Sequence, residues 1–544
     1  MNIDHLPGDL LLEIASHLRL PSEILHLSLT SRHVFGQLAQ VLYAEVKLRG
    51  SIQCIQTLKM LVAHPERARH IRSLCLHPDD HGPFAARIWG RGALFNGYAI
   101  SGAIRRLASK MEILQSFMWD GEELPPYDDM WFALRVFCPR LKFIGTSVGS
   151  ILTSPNSHLF DFRDLHGFSL IFKPGFFAHM EPGSRDEAIP GYKRLWCMLI
   201  NHCPNLEELT IDGYSPAEPV DAHRLTRGRW PYLRKLVLGD VVTEWHTALN
   251  HAARRSFLTF LEQHRNLEIL HLHSGQMSVG SPSILDDLHD GALPNVRDFG
   301  GSLAQLQAYA HRAKVHTLRL PDAILLRESS PLTVSAVLVT APQLTSLTIS
   351  FALPHGYDNG GIVRSIASAC PMLEHLDFTC ACRPAFKFDT FSRSIKPLGR
   401  LRSLQLSIVR ARGEETLVTC GSQLVRANPR ISNFTISFLE RSGPSPTRGS
   451  PPTIIRSASF DLLTDQHGLP VQLRVREKSR PLLWWRQPTA TTQLVDMRPP
   501  GYPGTLKGGV VALLLDPSPA GQEMRVICLC AALVLSTVGG CFLL

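Results

Sequence analysis

The chain has 544 residues, of which 44% are hydrophobic and 19% charged, and it carries a formal net charge of +9. That is too long for one ordinary globular core unless the core is elongated and repetitive, and the composition excludes a disordered or collagen-like chain. The positive excess is thin for this length and no block of five like charges occurs, which argues against nucleic-acid binding. The twelve cysteines show no CxxC pair or zinc spacing, and the first residues lack the basic-then-apolar run of a signal peptide. The expected compartment is therefore reducing, cytoplasmic or nuclear, where the sequon Asn433-Phe434-Thr435 is silent.

The first element predicted is a helix opening after Leu6-Pro7. Pro7 suits a helix start, Asp9 places negative charge in the first turn, and Leu10, Leu11, Ile14 and Leu18 recur at helical spacing. Pro21-Ser22 restarts the chain, with Ser22 as N-cap of a second helix through Ile24, Leu25 and Leu27. A third runs through Val34, Leu38 and Leu42. Three helices in about fifty residues are too few to bury this aliphatic surface among themselves, which implies a partner.

Leu6-Pro7, Ile14, Leu18, Pro21, the run Ile24 to Leu29, and Ser31-Arg32 resemble the F-box pattern in order and spacing over roughly residues 3–48. Asp9 stands where that family usually has Glu. The resemblance implies a module, 1–50, that docks on a Skp-type adaptor of cullin–RING ubiquitin ligases through Leu6, Pro7, Leu11, Ile14, Leu18, Leu25 and Leu29.

From residue 70 to 436 one pattern returns: apolar, two residues, apolar, one residue, apolar. It reads Ile71/Leu74/Leu76, Leu165/Phe168/Leu170, Leu206/Leu209/Ile211, Leu233/Leu236/Leu238 and Leu267/Leu270/Leu272. Val315/Leu318/Leu320, Leu344/Leu347/Ile349, Leu373/Leu376/Phe378, Leu401/Leu404/Leu406 and Ile431/Phe434/Ile436 continue it, with weaker copies at Met111/Leu114, Leu141/Ile144 and Val296/Phe299. From 315 the period is close to 29 residues, at or just above the leucine-rich-repeat range. Positions two apart share a strand face, whereas the intervening Met130/Leu134/Phe137, Leu195/Leu199/Cys203, Phe257/Leu261 and Ile362/Ile366/Cys370 have helical spacing. Proline in Cys138-Pro139, Cys203-Pro204, Ala341-Pro342 and Cys370-Pro371 ends each helix. The cysteine there is either a small core residue or a reactive thiol.

Alternating strand and helix predict an α/β solenoid with a parallel sheet over 51–440 and an exposed concave strand face. Punctuated repeats behind an F-box resemble the fungal-type F-box/leucine-rich-repeat substrate receptors. The outward positions expected to meet a protein substrate are Glu208, Thr210, Lys235, His271, His273, Arg319, His375, Asp377 and Gln405. They are polar and of mixed sign, without the basic stripe and stacking aromatics of a nucleic-acid groove. His271 and His273 form either a two-ligand start of a metal site or a solvated pair. No Gly-x-Ser-x-Gly elbow, GxGxxG, Walker loop or HExxH is present, so neither enzyme activity nor a cofactor is expected.

Residues 441–455 read as a Ser/Pro/Gly linker. Strand-like runs at Ser459–Leu463, Val471–Val475, Leu482–Trp485 and Gln493–Met497 predict a β-meander over 456–505 that caps the solenoid. In the final segment, 506–544, the nineteen residues 526–544 are uncharged. As a helix they would span about 28 Å, near the roughly 30 Å hydrocarbon core. A tail anchor, a buried terminal element and an error in gene prediction all stay open. The functional expectation is the substrate-recognition subunit of a Skp–cullin–F-box ubiquitin ligase, monomeric within it. The alternative is an F-box scaffold or membrane-tethered adaptor acting outside ubiquitin transfer.

Overall fold

The computed structural model describes residues 3, 6–18, 21–79, 90–151, 153–173, 190–213, 222–239, 251–272, 283–325, 330–352, 359–380, 388–409, 416–440, 454–465, 469–479 and 489–497. The chain divides into two compact units, one within Met1–Val315 and one that begins at His316.

The first unit opens with three helices, α1 (Gly8–His17), α2 (Pro21–Ser28) and α3 (Arg32–Leu42). Pro7 occupies the N-cap of α1 with extended backbone, and Ser31 caps α3 by accepting a hydrogen bond from the Val34 amide at 3.2 Å. Helix α2 begins at Pro21 itself, so Ser22 lies inside the helix and not at its cap. Proline loses nothing there, because a first-turn amide has no intrahelical partner. Leu11, Ala15, Val34 and Leu38 close a small core, with Ile3, Leu6, Leu12, Ile24 and Leu27 packed around it.

The sheet starts sooner than the repeat pattern indicates. Strand β1 (Glu45–Arg49) lies within the 1–50 stretch expected to be purely helical, and it pairs in parallel with β2 (Ser73–His77). Helices α4 (Ser51–Ala63) and α5 (Pro65–Ala68) connect the two. Then follow α6 (Gly90–Leu107), β3 (Ser116–Trp119), α7 (Asp129–Phe137), β4 (Phe143–Val148), β5 (Gly167–Phe172) and α8 (Pro190–Cys197). The unit continues through β6 (Glu208–Gly213), β7 (Lys235–Leu238), α9 (His251–Gln263), β8 (Ile269–Leu272), β9 (Asp298–Gly300) and α10 (Leu303–Ala308). Strands β1 to β9 are all parallel neighbours in chain order, which aligns Val46, Leu74, Phe117, Ile144, Phe168, Leu209, Leu236, Leu270 and Phe299 in one row. Every member of that row is buried. The third copy corrects the sequence register: its triple is Leu114/Phe117/Trp119, displaced from Met111/Leu114, because aromatic side chains fill the two inward positions of β3.

In the second unit the spacing is regular. Strands β10 (Thr317–Leu325), β11 (Ser346–Ala352), β12 (His375–Cys380), β13 (Ser403–Val409) and β14 (Asn433–Leu439) are parallel, and they stack Leu318, Leu347, Leu376, Leu404 and Phe434 in register. Between them, α11 (Pro331–Val339), α12 (Asn359–Ala369), α13 (Phe388–Ser394) and α14 (Leu417–Ala427) pack each against the next. Both units are thus mixed α/β with a parallel sheet, consistent with a solenoid. After β14 the pairing turns antiparallel through β15 (Ile454–Thr464), β16 (Pro470–Ser479) and β17 (Thr489–Asp496). Ala458, Phe460, Leu473 and Val475 are buried, and the Phe460 ring stacks on Phe434 at 4.5 Å. Linker residues 441–453, Leu482–Trp485 and the tail from 506 lie outside the described residues, while Ile454 and Ile455, expected in the linker, open β15. Among the described residues, no helix is long and apolar enough to cross a membrane.

The Cys-Pro stops put their cysteines inward. Cys138, Cys203 and Cys370 are buried, and burial pushes the Cys138 and Cys370 thiols up to about 12 and Cys203 to about 11. These are core residues, not reactive thiols.

Leu376→Ala is expected to lower unfolding free energy by about 2–5 kcal/mol in a denaturant titration, as a core truncation. Asp377, on the other face of β12, is half-buried, and burial raises its carboxyl above the ordinary aspartate value. The folded state therefore holds this proton more tightly than the unfolded chain, and Asp377 loses stability as pH rises from the ordinary aspartate range upward. Asp377→Asn should be at least as stable as wild type at neutral pH, with a flatter pH dependence across that range. At Gly213, φ is +112° and an added Cβ would strike the Phe172 carbonyl oxygen. Gly213→Ala should cost at least about 1–3 kcal/mol, read as a fall in thermal midpoint.

Candidate interaction surfaces

The three N-terminal helices bury one apolar set and expose another. Leu10 and Ile14, one turn apart on α1, are 51% and 39% exposed, and Leu25 and Leu29 are 45% and 69% exposed. The Leu29 amide donates to the Leu25 carbonyl at 3.0 Å, so the helical turn carries Leu29 just past the end of α2. Of the seven residues expected to dock an adaptor, Pro7, Ile14, Leu25 and Leu29 are exposed, and Leu6 and Leu18 are partly covered. Leu11 is wholly buried, so it supports the helices from within and is not available to a partner. Leu10, absent from the expected set, is exposed in its place.

On the sheet, the face opposite the apolar rows carries the residues expected to meet a substrate. In the first unit, Glu208 and Lys235 are register partners on β6 and β7 and form an ion pair at 3.2 Å. Both are partly exposed, so the pair adds less than about 1 kcal/mol of stability and leaves its charge for recognition. Thr210, Val237 and His271 share the next row. His271 is buried and its Nε2 lies 2.9 Å from Asp298 Oδ1, an arrangement the sequence analysis did not include. The signal was present, since Asp298 sits one strand along in the aligned repeats. His273 lies outside the described residues. Among the described residues, no group of three or more His, Cys, Asp and Glu is placed to hold a metal ion.

In the second unit Arg319, Thr348, Asp377, Gln405 and Thr435 form one row across β10 to β14. His375 lies in the row before, opposite Ser346 and Ser403. Arg319, His375 and Gln405 are exposed and Asp377 is half-buried, so the two rows together offer one cation, one imidazole, one amide and a recessed carboxyl. That mixture suits a polar peptide or protein surface better than a polyanion.

The outward face of β4 and β5 is different. Ser147 and Ser169 point away from the core rows, yet they are buried, and Gly145 leaves room for the Met118 sulfur, which an added Cβ would strike. Small residues here let neighbouring side chains close over the strands, so this stretch offers no open binding face.

No family model matches the chain, and no curated protein matches it. Among solved structures, the crystal structure of a TLR13–ssRNA13 complex matches at 11% identity with a TM-score of 0.20. That match covers 64% of this chain and 56% of that chain, so it spans little more than half of the other protein's length. A likeness this slight carries no argument about function.

Proposed function

We propose that the chain is the substrate-recognition subunit of a Skp–cullin–F-box ubiquitin ligase, built as an F-box followed by a leucine-rich-repeat solenoid. What carries this reading is the exposed aliphatic set Leu10, Ile14, Leu25 and Leu29 on helices whose own core is already closed by Leu11, Ala15, Val34 and Leu38. Aliphatic side chains held in water on two helices gain about 25 cal/mol per Å² when a partner covers them. The resemblance of Ile14, Leu25 and Leu29 to the F-box pattern points to a Skp-type adaptor as the partner, and through it a cullin–RING ligase in the cytoplasm or nucleus. The polar rows on β6 to β8 and on β10 to β14 receive a protein substrate, and the chain adds proximity: it holds a substrate lysine near the charged conjugating enzyme. It supplies no chemistry to ubiquitin transfer.

Co-purification with the adaptor tests the docking. Ile14→Asp and Leu25→Asp, each charging an exposed position, should abolish adaptor capture while leaving the thermal midpoint within about 2 °C, since surface substitutions cost under about 0.5 kcal/mol. Leu11→Ala should instead lower stability by about 2–5 kcal/mol. A folded Ile14→Asp chain that still captures the adaptor at full strength would overturn the F-box assignment. Capture of the adaptor without a cullin would replace the ligase reading with that of a scaffold acting outside ubiquitin transfer.

A further inference from the structure

A side-chain network among the described residues of the first unit gathers where β2 to β5 end. Cys75 sits on β2 between buried Leu74 and Leu76, so its side chain takes the opposite face, the one shared by His77 two residues on. Its Sγ lies 3.2 Å from His77 Nε2. The other ring nitrogen, Nδ1, lies 3.0 Å from Asp120 Oδ2, and the second oxygen of Asp120 takes Lys173 Nζ at 2.6 Å. Asp120 is the first residue after β3 and Lys173 the first after β5; parallel register brings these strand ends side by side, with the Asp120 amide donating to the Leu76 carbonyl at 2.8 Å.

The surrounding loops are fixed. Ser147 Oγ accepts from the Gly121 amide at 3.0 Å, Asp79 accepts from the Glu122 amide at 2.7 Å, and the Glu123 carboxylate accepts from the Ser150 and Ile151 amides, each at 3.0 Å. Asp120 is thereby held in place, with Lys173 paired to its second oxygen. With a proton on Nδ1 donated to Asp120, Nε2 is left as an acceptor facing the thiol. The three groups stand in line and do not converge on a point, which is the order of nucleophile, base and orienting acid and not that of a metal site. His77 and Asp120 side chains are each 24% exposed, so the line is sheltered and still reachable.

We propose that Cys75, His77 and Asp120 form a nucleophilic thiol site that takes an acyl group from a thioester or activated ester. This goes beyond the ligase reading and is independent of it. Burial first, and then the Asp120 charge, hold the Cys75 thiol above its ordinary value, so the resting sulfur keeps its proton. Nε2 removes that proton as sulfur forms its bond to the acyl carbon. The bond from the acyl carbon to the leaving group breaks, and the leaving group takes the proton from Nε2. Cys75 is left as a thioester, with no change of oxidation state.

The test treats the full chain with p-nitrophenyl acetate, follows nitrophenolate release, and maps acetylation by peptide mass, with exposed Cys197 as internal reference. The expected result is faster acetylation at Cys75 than at Cys197 in the native chain, with that preference lost in denaturant. An ordinary half-buried thiol would show the reverse, and that outcome overturns the proposal without any variant. Cys75→Ser should abolish the fast phase. His77→Gln, which keeps a hydrogen bond to Asp120, should slow it at least about tenfold, the lower reach of general-base assistance, with an unchanged thermal midpoint. A folded His77→Gln chain acetylated at Cys75 at the wild-type rate would also overturn it.

Discussion

The constraint on which the rest of the structure depends is the register of the parallel strands. A parallel strand in a repeat cannot bury its inward pair by itself, and only the next strand and its helix complete the cover. In the first unit the row from Val46 to Phe299 satisfies this with nine side chains, and in the second the row from Leu318 to Phe434 does so with five. A slip of one residue at any strand would turn its leucines outward and its polar residues into the core. The proline stops serve the same end by returning each helix to the sheet at a fixed place, with the preceding Cys138, Cys203, Ala341 or Cys370 buried.

Once the inward rows are fixed, the opposite face becomes a grid of aligned positions, and its chemistry follows from what stands in each row. At β6 and β7 the grid pairs Glu208 with Lys235, at β8 and β9 it pairs His271 with Asp298, and at the ends of β2 and β3 it sets His77 against Asp120. None of these pairs is close in sequence. At β4 and β5 the grid closes instead, because Gly145, Ser147 and Ser169 are too small to keep Met118 and Phe143 away. Openness of the sheet face is therefore decided row by row, by side-chain volume.

The N-terminal helices obey a different economy. Their core is small, four buried side chains with a partly covered rim, and it leaves two leucines of α1 and α2 and their turn-mates in water. Such a module leaves apolar surface on two helices that its own interior does not cover. The same reasoning separates Leu11 from Leu10 and Ile14: neighbours on one helix, they stand about 100° and about 60° from it around the axis and hence towards a different side.

Local chemistry made much of this readable in the chain itself. The apolar triples at a period near 29, the Cys-Pro stops and the helical leucines after Pro7 are all short-range patterns, and each corresponds to an element of the structure. The register of β3 is misplaced by three residues because Met111, Leu114 and Phe117 follow one another at the same spacing, so the pattern fits one step too early, and β1 is missed because its single copy adjoins the helical module. What only the tertiary structure decided is which residues from distant repeats share a row. That set the burial of Ser169, the partner of His271, and the line of Cys75, His77 and Asp120, while the packing of three helices set the burial of Leu11. Spacing along a chain fixes which face a side chain takes, whereas its neighbours across strands depend on how connections of unequal length bring the strands into register.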